Sequence, residues 1–209
     1  MKKLSSKYLH EVVEVISEAF YGEAITSRVY DFSRESVRKE FRLNTEIMAL
    51  TALKGNYPAL VALEGNRVVG AAILKPVKPL PFSATWRIYL PRIPKLLRLF
   101  IKARCWQGME LKRKMEPPYS DLPPSYITLD AIGVAPGFQG KGVGAKLLQE
   151  LPRLCRDEEA AGIYLFTGDD RNCDIYLKYG YRVVKTVEIG TLKVYHMFKS
   201  REPDNTLII

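Results

Sequence analysis

The stretch that most constrains the fold is Ile127–Ala145, ITLDAIGVAPGFQGKGVGA. An apolar, β-branched run reads as a strand, Pro136-Gly137 turns the chain, and a glycine-rich segment opens a helix. Gly140, Gly142 and Gly144 leave no Cβ in the way, so main-chain N–H groups can close around an anion at the positive end of the helix dipole. Without a ligand, each of these glycines would cost about 1 kcal/mol relative to alanine. A P-loop needs Gly-x-x-x-x-Gly-Lys-Ser/Thr, which Gly137 and Gly140-Lys141-Gly142 do not supply. A dinucleotide fingerprint needs Gly-x-Gly-x-x-Gly. The spacing here is Gly140-x-Gly142-x-Gly144, and the 65 residues that follow cannot build a doubly wound sheet.

A chain of 209 residues, 47% hydrophobic and 26% charged, suits one soluble domain with a full core. No apolar run approaches the roughly 20 residues of a membrane span, and Glu11 and Glu14 interrupt any signal-peptide core after the basic start. Cys105, Cys155 and Cys173 are odd in number and widely spaced, and only His10 and His196 could join them, so no metal site is expected. The chain reads as cytoplasmic with reduced thiols. The net charge of +9 is local. Residues 75–116 hold eleven Lys or Arg against Glu110 and Glu116, whereas the remainder holds 21 of each sign.

Residues 5–20 read as a helix behind Ser5 or Ser6. Residues 33–54 read as a longer one, capped by Ser33 and stopped at Gly55-Asn56, with a loop carrying Tyr30 and Phe32 between the two. A hairpin follows, Ala59–Leu63 and Arg67–Leu74 about the turn Glu64-Gly65-Asn66. Prolines 76, 79, 81, 91 and 94 predict irregular structure over residues 75–93, followed by a helix over 94–115. Pro117-Pro118 and Pro123-Pro124 bracket a loop before the central strand. Beyond the glycine loop, Val143, Leu147, Leu148, Leu151, Leu154 and Cys155 form a helical stripe, with Pro152 expected to kink or break it. Ile163–Thr167 is a buried strand, parallel to the central one because a helix crosses between them. A short helix over Asp170–Tyr179 closes at Gly180, and Tyr181–Val187 with Leu192–Phe198 make a last strand pair.

Two motifs carry a family resemblance. Gln139-x-x-Gly142-x-Gly144, after a strand ending in Gly133-Val134, resembles the pyrophosphate-binding motif of the GNAT superfamily of N-acetyltransferases. Asn172-Cys-Asp-Ile-Tyr176-Leu-Lys-Tyr-Gly180-Tyr181 resembles the Asn-x-x-x-Tyr-x-x-x-Gly-Phe/Tyr segment after that family's fifth strand. The resemblance covers about residues 126–199, and the part before it shares the family's element order. It implies an α/β (α+β) fold of the GNAT type: a mixed, mostly antiparallel central sheet of about six to seven strands flanked by helices, with a splayed parallel pair. Residues 1–209 would form a single domain, with a basic, Pro-rich and helical insert over residues 75–125 above the acceptor site.

The resemblance also implies acetyl-CoA as acyl donor, without a metal. Ile132, Gly133 and Val134 would pair through backbone with the pantetheine arm, Gly133 marking a bulge that parts the strand from its parallel neighbour. The Val134 N–H would polarise the thioester carbonyl. Main-chain N–H groups of Gln139, Gly140, Lys141, Gly142, Val143, Gly144 and Ala145 would cradle the pyrophosphate, with Lys141 adding charge. Asn172 would bind the pantetheine arm, and Tyr176 would protonate the departing thiolate.

Asp130 shares a strand face with Thr128 and Ile132 before any bulge, and it is a candidate base for the amine proton. A strand carboxylate held in a hydrogen bond or ion pair is the competing account. Small-molecule acetyltransferases of this type often read Leu-Glu-Thr at the end of the fifth strand. Leu165-Phe166-Thr167 stands here, which leaves that carboxylate's role vacant or taken by Asp130, Asp169 or Asp170. The expected reaction moves an acetyl group to the amine of a small molecule by direct attack in a ternary complex, since no cysteine is placed for a covalent relay. A GNAT-fold acyl-CoA-binding module without turnover and a protein lysine or N-terminal acetyltransferase are the alternatives. The basic insert reads first as a solvated face whose Lys and Arg stems cover apolar surface. An amphipathic helix on a membrane or nucleic acid, with Leu96, Phe100 and Trp106 inward, is the competing account. Nucleic acid is not an expected partner, and a homodimer is compatible with the sequence.

Overall fold

The computed structural model describes residues 1–76, 78, 80–102, 108, 111, 113 and 115–201. Its strands are β1 (Lys2–Lys3), β2 (Ala59–Glu64), β3 (Arg67–Lys75), β4 (Ile127–Val134), β5 (Gly162–Thr167), β6 (Arg182–Ile189) and β7 (Leu192–Ser200). The helices among the described residues are α1 (Leu9–Phe20), α2 (Thr26–Val29), α3 (Glu35–Lys54), α4 (Phe82–Tyr89), α5 (Ile93–Lys102), α6 (Val143–Asp157) and α7 (Asp170–Lys178). The strands form one sheet in the order β1-β2-β3-β4-β5-β7-β6, in which only β4 and β5 pair in parallel. α6 is the crossover that makes them parallel.

Both sheet faces are covered, so most inner strands are apolar throughout. Leu147, Leu151 and Leu154 of α6 pack with Leu60, Ala72, Ile127, Leu129 and Ile163 on one face. On the other, Val12 and Ile16 of α1 and Ala49 of α3 pack with Val61, Ala71, Ile73 and Ala131. The β2–β3 hairpin turns on two residues, with Gly65 at φ +59°. α7 closes at Gly180 with φ +81°, the left-handed position that glycine adopts without strain.

Several expectations need correction. Ser33 does not cap α3. It bonds Asp31 through both its N–H and its hydroxyl, and the cap position falls on Arg34. The prolines of residues 75–93 do not prevent helix. Pro81 sits at the N-cap of α4, where its carbonyl accepts the N–H groups of Ala84 and Thr85, Pro91 lies in a 3₁₀ turn over Leu90–Arg92, and Pro94 lies in the first turn of α5. A missing N–H is harmless at such positions. Of the helix expected over 94–115, the structure describes Ile93–Lys102 and helical residues at Gly108, Leu111 and Arg113, and residues 103–107, 109, 110, 112 and 114 lie outside the described residues. α6 runs through Pro152 without a break. The loop between α1 and α3 contains α2, whose Thr26 N–H is capped by the Glu23 carboxylate at 2.7 Å.

The bulge in β4 is at Asp130, not Gly133. Ile73 pairs with Ala131 and Leu74 with Leu129, so Asp130 has no partner on β3. Ile127 and Leu129 face the α6 core, Ala131 faces the α1 core, and Ile132 faces α6 again. Two successive residues therefore share one side, as a bulge requires. Asp130 stays on the Thr128 side but leaves the side of Ile132. Gly133 is in register opposite Ala71, and its lack of a side chain serves packing. A Cβ there would lie 2.8 Å from the Ala19 Cβ and 3.1 Å from the Val15 carbonyl oxygen. Gly133→Ala must push α1 off the sheet. We expect it to lower the urea midpoint by an amount equivalent to about 1–3 kcal/mol. An unchanged midpoint would mean that α1 yields freely.

Candidate active site

The glycine loop leaves β4 through a 3₁₀ turn over Pro136–Phe138 and enters α6 with Gly140 at φ +76° and Gly142, the N-cap, at φ +79°. No side chain caps α6. The first-turn N–H groups of Val143, Gly144 and Ala145 therefore point out of the helix toward whatever lies at its start. No other group lies within 4 Å of a Cβ built on Gly140 or Gly142, so the space above the loop is open. Two cations flank it: Lys141 lies 4.9 Å and Arg67 6.0 Å from the Phe138 ring centre. Open N–H groups, open space and two cations fit an anion such as a pyrophosphate. Arg67 was not among the sequence candidates. It reaches the loop only because β3 lies beside β4.

β4 and β5 pair at Ile127–Ile163 and Thr128–Tyr164 and then part. The Ala135 N–H bonds the Val69 carbonyl at 3.0 Å, so by alternation along the strand the Ile132 and Val134 N–H and C=O groups point away from β3, into the gap. The Gln139 side-chain amide donates to the Val134 carbonyl there at 3.3 Å. The backbone N–H and C=O of Gly133 face β3.

α7 starts where β5 ends. Asp169 caps it by accepting the Asn172 N–H at 3.0 Å, and Asn172 and Tyr176 lie one turn apart on one face. The Tyr176 ring packs edge-on against Tyr181, with centroids 5.5 Å apart. Burial pushes the Tyr176 pKa up to about 12, and the Glu23 carboxylate adds to the shift, so the phenol keeps its proton at physiological pH.

Below the bulge lies a cleft of about 1230 Å³, lined by Thr128 and Asp130 of β4, Tyr164 and Phe166 of β5, and Lys75, Tyr119 and Tyr126. Leu111, Arg113 and Met115 of the basic insert also line it. Asp130 opens into the cleft and has neither a hydrogen bond nor an ion pair among the described residues. The cleft walls still desolvate it and raise its pKa, against the opposing pull of the Lys75 ammonium. The other two candidate carboxylates are engaged: Asp169 caps α7, and Asp170 accepts the Tyr195 hydroxyl at 2.6 Å. Phe166, at the position for which the resemblance implies a carboxylate, lines the cleft. Behind the floor, the Tyr164 hydroxyl and His196 Nδ1 are 2.6 Å apart, and burial pushes the His196 pKa down to about 4, so the imidazole is neutral. No sequence signal drew attention to this pair, because only the register of β5 with β7 brings it together.

A parted parallel strand pair, with an open helix start at one end and a carboxylate-bearing cleft beside it, leaves room for an elongated anion and a second reactant. The chain belongs to the acetyltransferase (GNAT) family, whose model matches residues 10–181. It is therefore an acyltransferase by family. Among solved structures, it is similar to a histone acetyltransferase and related acetyltransferase from Corynebacterium glutamicum, with 18% identity and a TM-score of 0.67, covering 97% of each chain. It is also similar to an N-acetyltransferase from Thermoplasma acidophilum in complex with coenzyme A, with 14% identity and a TM-score of 0.56, covering 95% of this chain and 96% of that one. A third similar structure is the yncA protein of Salmonella typhimurium with its cofactor acetyl-CoA, with 17% identity and a TM-score of 0.55, covering 97% of this chain and 93% of that one. At these identities the likeness is one of fold. No curated protein matches the chain in sequence.

Proposed function

We propose that the chain is an N-acetyltransferase that moves an acetyl group from acetyl-CoA to the amine of a small molecule. One observation carries this. The Ile132 and Val134 backbone groups have no strand partner in a slot that meets the open α6 start at one end and lies beside the unpaired Asp130 at the other. The loop from Gln139 to Ala145 would hold the pyrophosphate. Ile132, Val134 and Asn172 would hold the pantetheine arm, with Gly133 keeping α1 close behind the strand. Acetyl-CoA supplies an activated acyl group when bound. The Val134 N–H polarises its carbonyl, Asp130 draws the proton from the amine, and the Tyr176 hydroxyl donates to the departing sulfur.

Direct attack is supported by the described thiols. Cys155 and Cys173 are buried, and burial raises both pKa values, so neither is available as a nucleophilic thiolate. A cleft walled by Tyr119, Tyr126, Phe166 and the insert favours a small amine over an extended peptide.

The test is a panel of primary amines with acetyl-CoA, read as free thiol. Turnover with at least one amine is expected. Acetyl-CoA binding without any turnover would favour a binding module instead. Because the Tyr176 phenol is a weak acid at a pKa of about 12, its contribution is a hydrogen bond to developing charge rather than an easy proton transfer. Such a bond is worth about 1.5–3 kcal/mol, so Tyr176→Phe should lower kcat about 10- to 100-fold with acetyl-CoA affinity unchanged. An unchanged kcat would remove Tyr176 from the mechanism.

A further inference from the structure

α4, the 3₁₀ turn and α5 follow one another along the outside of α3. Their inner face is satisfied: Ile88, at 1% exposure, packs with Leu43 and Ile47 of α3 together with Leu96, and Arg92 pairs with Glu46 at 2.8 Å. Their outer face is not. Phe82, Trp86, Leu90, Leu97 and Ile101 are 43–78% exposed and recur at helical spacing on the side opposite Ile88 and Leu99. Phe82 and Trp86 touch edge-on at 5.7 Å, so the stripe begins as a continuous aromatic patch. Folding alone gives no reason for large apolar side chains here. Lys or Arg stems lying over apolar surface would have produced the opposite pattern, with the apolar groups covered.

Charge flanks the stripe on one sign only. Arg87, Lys95 and Arg98 are exposed and make no ion pair among the described residues. Residues 65–109 contain no Asp or Glu at all. An apolar strip with tryptophan and tyrosine near it, bordered by unopposed cations, matches the boundary between acyl chains and anionic headgroups. A second copy of the chain fits poorly, because a two-fold contact would bring these cations against their own counterparts with no acid to separate them. Nucleic acid would meet the cations and leave the strip in water.

We propose that the outer face of α4 and α5 is a binding surface for anionic lipid membranes, on which the protein rests without spanning.

The test is co-sedimentation of the full chain with phosphatidylcholine vesicles, with and without a third of phosphatidylglycerol, at ~0.15 M salt. Binding to the anionic vesicles alone is expected. In a Trp106→Phe background, where Trp86 is the one remaining tryptophan, its emission should shift to the blue on binding. Leu97→Asp with Ile101→Asp should abolish binding. Neutralising Arg87, Lys95 and Arg98 to Gln should weaken it by about fivefold per charge removed. All five positions are exposed, so thermal unfolding and acetyl-CoA titration should match the parent and serve as folding controls. The proposal is overturned by absence of vesicle binding, by equal binding to neutral vesicles, by binding to duplex or single-stranded nucleic acid in its place, or by a dimer in sedimentation that Leu97→Asp dissolves.

Discussion

Replacing Gly142 with valine should abolish measurable acetyl-CoA binding while the protein stays folded. Gly142 caps α6 at φ +79°, a region that costs an L-residue about 1–2 kcal/mol, and a β-branched side chain tolerates it worst. The loop would relax into another conformation and turn its N–H groups away from the pyrophosphate. A hydrogen bond to a charged oxygen is worth about 1.5–3 kcal/mol, so losing two raises Kd on the order of a hundredfold or more. That result alone would not separate a lost ligand site from a damaged loop. Gly144 separates them. It lies in the first turn of α6 without positive φ, and a Cβ there would sit 3.6 Å from the Val134 side chain, an ordinary contact. The protein by itself therefore has no need of glycine at 144, and alanine should add up to about 1 kcal/mol of helix stability, or about 2–4 °C in Tm. If the ligand lies against this turn, Gly144→Ala should still weaken acetyl-CoA binding in calorimetry. A higher Tm with unchanged affinity would mean that the pyrophosphate lies elsewhere.

The same geometry explains which parts of the molecule were legible beforehand. The strand before the loop, the leucine stripe of α6 and the Asn172–Tyr181 segment are local patterns, each written within a few turns or one strand, and they appear where periodicity predicts. The cost of the three loop glycines was not legible in the same way. Gly140 and Gly142 have positive φ, so alanine would be worse there, and only Gly144 is a glycine that the apo fold does not require. The glycine within the strand, Gly133, points to a bulge there, whereas the bulge forms at Asp130. A bulge is a matter of register between two strands, and Asp130 carries no turn chemistry that could announce it. The prolines clustered over residues 76–94 suggest breaks, yet Pro81, Pro91 and Pro94 sit where a helix or 3₁₀ turn begins and needs no N–H. Arg67, Glu23 and the Tyr164–His196 pair were out of reach for another reason. Each meets the site across strands or helices far apart in the chain, and no local spacing encodes such a meeting.

Asp130→Asn should stabilise the protein at neutral pH and cripple it as a catalyst. The carboxylate is exposed to solvent at the cleft but ringed by its walls, with no bonded partner among the described residues, and those walls raise its pKa above the ordinary 3.8, more than Lys75 lowers it, a shift that the open side of the cleft keeps small. The folded state therefore holds this proton more tightly than the unfolded chain. By linkage, stability falls as pH rises from 3.8 through the raised value, and the full penalty is present above it. Asparagine carries no charge and escapes that penalty. In urea unfolding, the variant should exceed the parent at neutral pH, and the difference should vanish in acid. Catalysis should move the other way. A carboxylate with a raised pKa is a stronger base than an ordinary one, and removing a general base typically costs about 10²–10⁴ in rate. Without it, attack must await amine that has already lost its proton in solution, so turnover should begin at higher pH. A residue held in place by a hydrogen bond or ion pair would give the reverse result, lower stability with an unshifted pH–rate profile. Gain of stability with loss of rate is what a desolvated catalytic carboxylate predicts, because the protein that folds best around position 130 is then not the one that takes the proton.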